Sequence, residues 1–116
     1  MTGSSIIGWS HLPFGKHADK DIESMMVEAG AAALKHAGVA PADVDAIFVG
    51  HFNAGFSAQD FPSSLSFGID PALRFKPATR VENACATGSA AVHQGITRIS
   101  AKQARIVLVV GVEHMT

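Results

Sequence analysis

Apolar positions recur along the chain in blocks of two periods, separated by polar and Gly/Pro-bearing stretches. Ile22, Met26, Ala29, Ala33 and Ala37 step by four, three, four and four, which is the spacing of one helix face. Asp19 or Asp21 offers a carboxylate to cap that helix, and Gly38 followed by Pro41 marks its end. Ser5–Trp9 is short, apolar and β-branched, and reads as a strand; His11-Leu12-Pro13-Phe14-Gly15 follows as a loop. Val44–Gly50 reads as a second strand, apolar enough to be buried on both faces. His51–Ala58 is loop, and Asp60 with Pro62 predicts a capped short helix to about Gly68. Asp70-Pro71 and Lys76-Pro77 break it, and Thr79–Glu82 is a short extended approach. Helical spacing returns from Cys85 to about Lys102, and Arg105–Val112 closes as the most strongly marked strand. The predicted order, β-α-β-(α)-β-α-β, implies an α/β fold with a mostly parallel sheet layered with helices.

Composition narrows the classes. A chain of 116 residues suits one domain, and can bury roughly two-thirds of its unfolded surface. Nine Lys+Arg against ten Asp+Glu leave the basic excess of a nucleic-acid binder absent. One cysteine excludes an internal disulfide framework and a cysteine-based zinc cluster. The longest apolar run, Ile106–Val112, is too short to span a bilayer, and the first residues lack the basic start and apolar middle of a secretory signal. The expectation is a cytoplasmic protein with no membrane or nucleic-acid partner. Charged residues make up only 16%, sparse for a small monomer, which suggests surface covered by a partner or by further polypeptide.

The chemistry concentrates at Val81-Glu82-Asn83-Ala84-Cys85-Ala86-Thr87-Gly88. The cysteine falls at a predicted strand-to-helix junction. Unpaired N–H groups and the positive helix end there favour the thiolate, the nucleophilic form. Small neighbours, Gly88 among them, leave room for a substrate, and the same N–H groups could hold an oxyanion. That pattern fits acyl transfer through a cysteine nucleophile; an inert cysteine serving as a small hydrophobe fits the spacing equally well.

Asn83-Ala84-Cys85-Ala86-Thr87-Gly88 resembles the nucleophile motif of the thiolase family, the acetyl-CoA acetyltransferases. The resemblance continues in His11–Lys16, similar to the Pro-Phe-Gly loop after the first strand, and in Val49-Gly50 with its Gly/Asn-bearing loop. It extends to Val109–Met115, similar to a strand ending in Gly-x-Glu-x-Met. Within the family the combination looks closest to sterol-carrier-type and bacterial thiolases. The resemblance implies that Cys85 is the acyl-accepting nucleophile and that its backbone N–H is one oxyanion donor, with Asn83 and Gly88 in support. It further implies acyl-CoA and coenzyme A as substrates, no resident cofactor, a role in lipid metabolism, and a homo-oligomer, dimer or tetramer. The family's activating histidine, second acid/base group and second oxyanion site belong to its later motifs, which have no counterpart here. Residues 1–116 are therefore expected to be a partial N-terminal thiolase domain, inactive alone.

Other residues carry weaker signals. His11, His17, His36, His51, His93 and His114 lack the i,i+4 spacing of a zinc site. His93 lies about two turns beyond Cys85, about 12 Å at a rise of about 1.5 Å per residue, too far for the activating base. Glu82 could orient the loop, and Asn83 is expected to cap the following helix. Phe52, Phe56, Phe61, Phe67 and Phe75 are expected in core or interface packing, and Arg74, Lys76 and Arg80 on a solvated loop. Rival readings are a 3-oxoacyl synthase-like condensing enzyme, a non-catalytic thiolase-like interaction module, and a redox-sensing cysteine; Asn83 and the Ala-Thr-Gly after Cys85 favour the thiolase side.

Overall fold

A computed structural model of the chain describes residues 3–52 and 61–115. The first regular element is α1, Ile22–Ala37. Asp21 caps it: its carboxylate accepts from the Ser24 N–H at 2.7 Å, and the Ser24 hydroxyl accepts from the Asp21 N–H at 2.9 Å. This reciprocal pair satisfies two donors that a helix start leaves open. Gly38 ends the helix at φ 68°, a left-handed conformation that costs glycine nothing.

Strand β1 (Ala46–Gly50) is buried at every position, as its continuous apolar run requires of a central parallel strand. It is followed by a one-turn helix α2 (Pro62–Leu65), running into a 3-10 segment over Ser66–Ile69. A further 3-10 turn, Pro71–Leu73, is capped by the Asp70 carboxylate, which accepts from Ala72 N–H at 2.8 Å. Strand β2 (Ala78–Val81), a 3-10 turn over Ala84–Ala86, helix α3 (Thr87–Ser100) and strand β3 (Val107–Gly111) complete the order. The sheet runs β2-β1-β3, all parallel, with Ile47 opposite Ala78 and Leu108.

Side chains alternate across the sheet and separate two cores. On one face Ile47, Val49, Leu108 and Val110 pack with Ile22, Met25, Met26 and Leu34 of α1 and with Leu73. On the other, Ala46 and Phe48 pack with Ala91 of α3, joined by Val107 and Val109. The fold is thus a three-layer α/β/α arrangement. The chain passes from β1 to β2 on one side, then crosses by α3 to β3 on the other. That reversal sets the start of α3 over the carboxyl end of β1, where open α/β sheets place their ligands.

Three expectations are corrected. Ser5–Trp9 forms no strand. It runs along α1 instead, with Trp9 N–H donating to His36 Nδ1 at 3.0 Å and the Ser10 hydroxyl to Ala29 O at 2.6 Å. Ser5–Trp9 and β3 line one cleft without strand pairing, and among the described residues no strand pairs with the outer edge of β3. The α-helix predicted from Cys85 begins at Thr87. The capping assigned to Asn83 is not made: neither the 3-10 turn nor α3 has a side-chain cap. The predicted cap by Asp60, most of the 51–58 loop, and Phe56 lie outside the described residues.

Candidate active site

Cys85 is exposed on the 3-10 turn between β2 and α3. It lines a cleft of roughly 620 Å³ at the carboxyl ends of β1 and β3. Gly50 and Phe52 enter from β1, Gly111 and Glu113 from β3, and Gly88 from the first turn of α3. The Pro13-Phe14-Gly15 loop forms the opposite wall, with the His11 and Phe14 rings edge-on at 4.7 Å. Three segments that the resemblance singled out separately therefore meet around one thiol.

The turn carrying Cys85 is conformationally unusual. Ala84 has φ 45°, a left-handed backbone that costs an alanine roughly 1–2 kcal/mol. Side chains brace it on both sides. The Ala84 N–H donates to the Glu82 carboxylate at 2.6 Å. The Thr87 hydroxyl donates to Ala84 O at 2.6 Å and accepts from Asn83 N–H at 2.9 Å. Ala86 N–H donates to Asn83 O at 2.8 Å. These bonds engage the N–H groups on either side of Cys85 but not its own.

Thr87 is 6% exposed, and Gly50 is the reason it fits. A Cβ on Gly50 would stand 3.1 Å from Thr87 Cγ2 and 3.2 Å from Thr87 O. A side chain there would push the end of β1 and the nucleophile helix apart by a few tenths of an ångström. Beneath the cleft, Arg80 Nε donates to His51 O at 2.8 Å, tying β2 to the end of β1. Arg80 thus has a structural partner, as does Lys76, whose Nζ donates to Ala42 O at 3.0 Å; Arg74 is exposed.

Of the predicted site residues, the structure brings Cys85 and Gly88 to the cleft. Asn83 contributes backbone rather than its side chain. His93 is exposed on α3 and does not line the cleft. Thr87 and Glu113 both stand in the motifs that carry the resemblance, but sequence reasoning gives neither a site role, because their partners cannot be read from spacing. Among the described residues no three His, Cys, Asp or Glu side chains cluster as a metal site requires. No helix among them is long and apolar enough to cross a membrane. Phe67 packs against the larger core, whereas Phe52, Phe61 and Phe75 are exposed.

Comparison with known proteins agrees with this geometry. The chain is 38% identical, across its whole length, to an acetyl-CoA acetyltransferase of Methanocaldococcus jannaschii, and 41% identical to one of Methanothermobacter thermautotrophicus. It spans about 30% of the length of each. An acetyl-CoA acetyltransferase structure from Syntrophomonas wolfei superposes with a TM-score of 0.78 at 23% identity, over 90% of this chain and 27% of that one, and so shares the fold. Residues 4–116 match the thiolase N-terminal domain, and the chain belongs to the thiolase family.

Proposed function

We propose that this chain carries the nucleophile of an acyltransferase acting on acyl-CoA thioesters. The observation that supports the reading best is an exposed Cys85 on a braced turn, at the mouth of a cleft built from strand ends. In this reading the Cys85 thiolate attacks the thioester carbonyl carbon of an acyl-CoA, or the keto carbon of a 3-oxoacyl-CoA. Collapse of the tetrahedral adduct breaks the carbon–sulfur bond to CoA, or the carbon–carbon bond of the 3-oxoacyl group. Either route leaves an acyl thioester on Cys85. The Cys85 N–H, unused by the turn's own bonds, faces the developing oxyanion. Transfer to CoA, or Claisen condensation with a second acyl-CoA, completes the cycle. Coenzyme A thioesters are substrates here, not resident cofactors.

The activating base and second acid/base group come from polypeptide beyond these 116 residues, so residues 1–116 act as a partial N-terminal domain without turnover alone. The reading extends to a cytoplasmic homo-oligomer in lipid metabolism. The low charge and the exposure of Ile6, Trp9 and Phe14 support a covered surface. Sedimentation of the complete protein as a monomer only would remove the oligomer from the proposal.

Intact-mass analysis after exposure of the complete protein to acetyl-CoA tests the central step. The expected result is one acetyl group on Cys85, absent in Cys85→Ser. A thiol inert both to acetyl-CoA and to alkylation would favour the non-catalytic module. Substantial CoA release from acetoacetyl-CoA by the 116-residue chain, lost in Cys85→Ser, would overturn its assignment as inactive.

A further inference from the structure

We infer that Thr87 is a positioning residue for Cys85, and that it acts by holding Ala84 in its left-handed conformation. The inference rests on the acyltransferase reading and adds to it the device that aims the nucleophile. Ala84 has φ 45° and no glycine to make that conformation easy. Something outside the residue must hold it, and the Thr87 hydroxyl touches the turn twice: it donates to Ala84 O at 2.6 Å and accepts from Asn83 N–H at 2.9 Å.

In the observed rotamer the hydroxyl makes both bonds. The methyl fixes that rotamer, because Cγ2 lies against the bare backbone of Gly50, where a Cβ would stand only 3.1 Å away. Threonine therefore uses both branches: the methyl anchors to the sheet, and the hydroxyl bridges the turn. Serine would keep the bridge and loosen the anchor; valine would keep the anchor and lose the bridge. The Glu82 carboxylate gives a second, exposed brace at Ala84 N–H. With both in place, Cys85 is held on the cleft side of the turn rather than sampling other directions.

The test measures acyl loading of Cys85 from acetyl-CoA in the complete protein, with iodoacetamide alkylation of Cys85 alongside. Thr87→Val is expected to slow loading by about 100-fold, the scale of a misplacement of about 1 Å, with the half-saturating acetyl-CoA concentration unchanged. Thr87→Ser is expected to stay within about threefold. Adding Ala84→Gly to Thr87→Val should recover most of the loss, because glycine adopts the turn without a brace. A packing role alone predicts no such rescue. Folding of each variant is checked by circular dichroism. Should Thr87→Val not fold, the exposed Glu82→Ala serves instead, with a loss of about tenfold that Ala84→Gly again recovers. Folded Thr87→Val loading at the wild-type rate, or a double variant no faster than Thr87→Val, overturns the inference. Wild-type protein that alkylates but never loads overturns the acyltransferase reading instead, and the alkylation rates of the same variants then decide the positioning role.

Discussion

The buried His51 ring holds Nδ1 2.8 Å from the Val112 carbonyl and 3.2 Å from a Glu113 carboxylate oxygen, 61 and 62 residues further along the chain. Because both neighbours are acceptors, Nδ1 is the donor in these contacts. Glu113 also accepts from Phe52 N–H at 2.7 Å, so three side-chain contacts tie the ends of β1 and β3 at the Cys85 cleft. His51→Ala leaves the Val112 carbonyl without its side-chain donor and opens a void. The expected cost is about 1–3 kcal/mol, read by urea unfolding. Glu113→Ala should cost less, because that carboxylate is partly solvated.

Gly50→Ala places a methyl against Thr87, at distances that force one of the two to move. A destabilisation of about 1–3 kcal/mol is expected from overpacking. Because Thr87 is the neighbour displaced, slower acyl loading of Cys85 should accompany it. Loss of stability with unchanged loading would separate the sheet contact from the nucleophile turn.

Asp45 accepts from Arg105 N–H at 2.8 Å and Ile106 N–H at 3.1 Å, and these backbone bonds hold its carboxyl below the usual carboxylate range. The folded state thus prefers the ionised form. Its contribution is complete above the ordinary carboxylate range and is lost as pH falls through the lowered folded-state value. Asp45→Ala should destabilise by about 1 kcal/mol near neutral pH, reduced by the water around this exposed group. The gap between variant and wild type should close in acid, measured by urea titrations from neutrality downward.

Met26 is fully buried between α1 and the sheet. Met26→Ala should cost about 2–5 kcal/mol, enough to bring a domain of this size close to unfolding at 37 °C. Calorimetry reads it as a lowered Tm.

Helix α1 was legible because every signal it needs is local: the Asp21 cap, the four-and-three apolar steps, and Gly38. Strands β1 and β3 were legible because apolar runs that short have no other buried use beside such a helix. Ser5–Trp9 has equally good strand residues and forms none, since pairing depends on a neighbour that residue type cannot reveal. At the site, Cys85 was marked by its motif and by its family resemblance. Its bracing was not: Asn83 and Thr87 are both capping types, and the choice between them follows from a positive φ at Ala84, for which alanine gives no signal. The His51–Glu113 tie joins residues too distant along the chain for any spacing rule.

The outer edge of β3, which no strand among the described residues pairs with, has a practical consequence for handling this chain alone. Val107–Gly111 presents hydrogen-bonding backbone along one side, within an uncharged, proline-free stretch from Ile106 to Val112. Such a segment templates strand addition between molecules. Arg105 and Glu113, flanking it, are the charges that discourage self-association. A purified preparation should therefore scatter more light as its concentration rises. Neutralising Arg105 or Glu113 should lower the onset of that scattering, even where the fold survives the substitution.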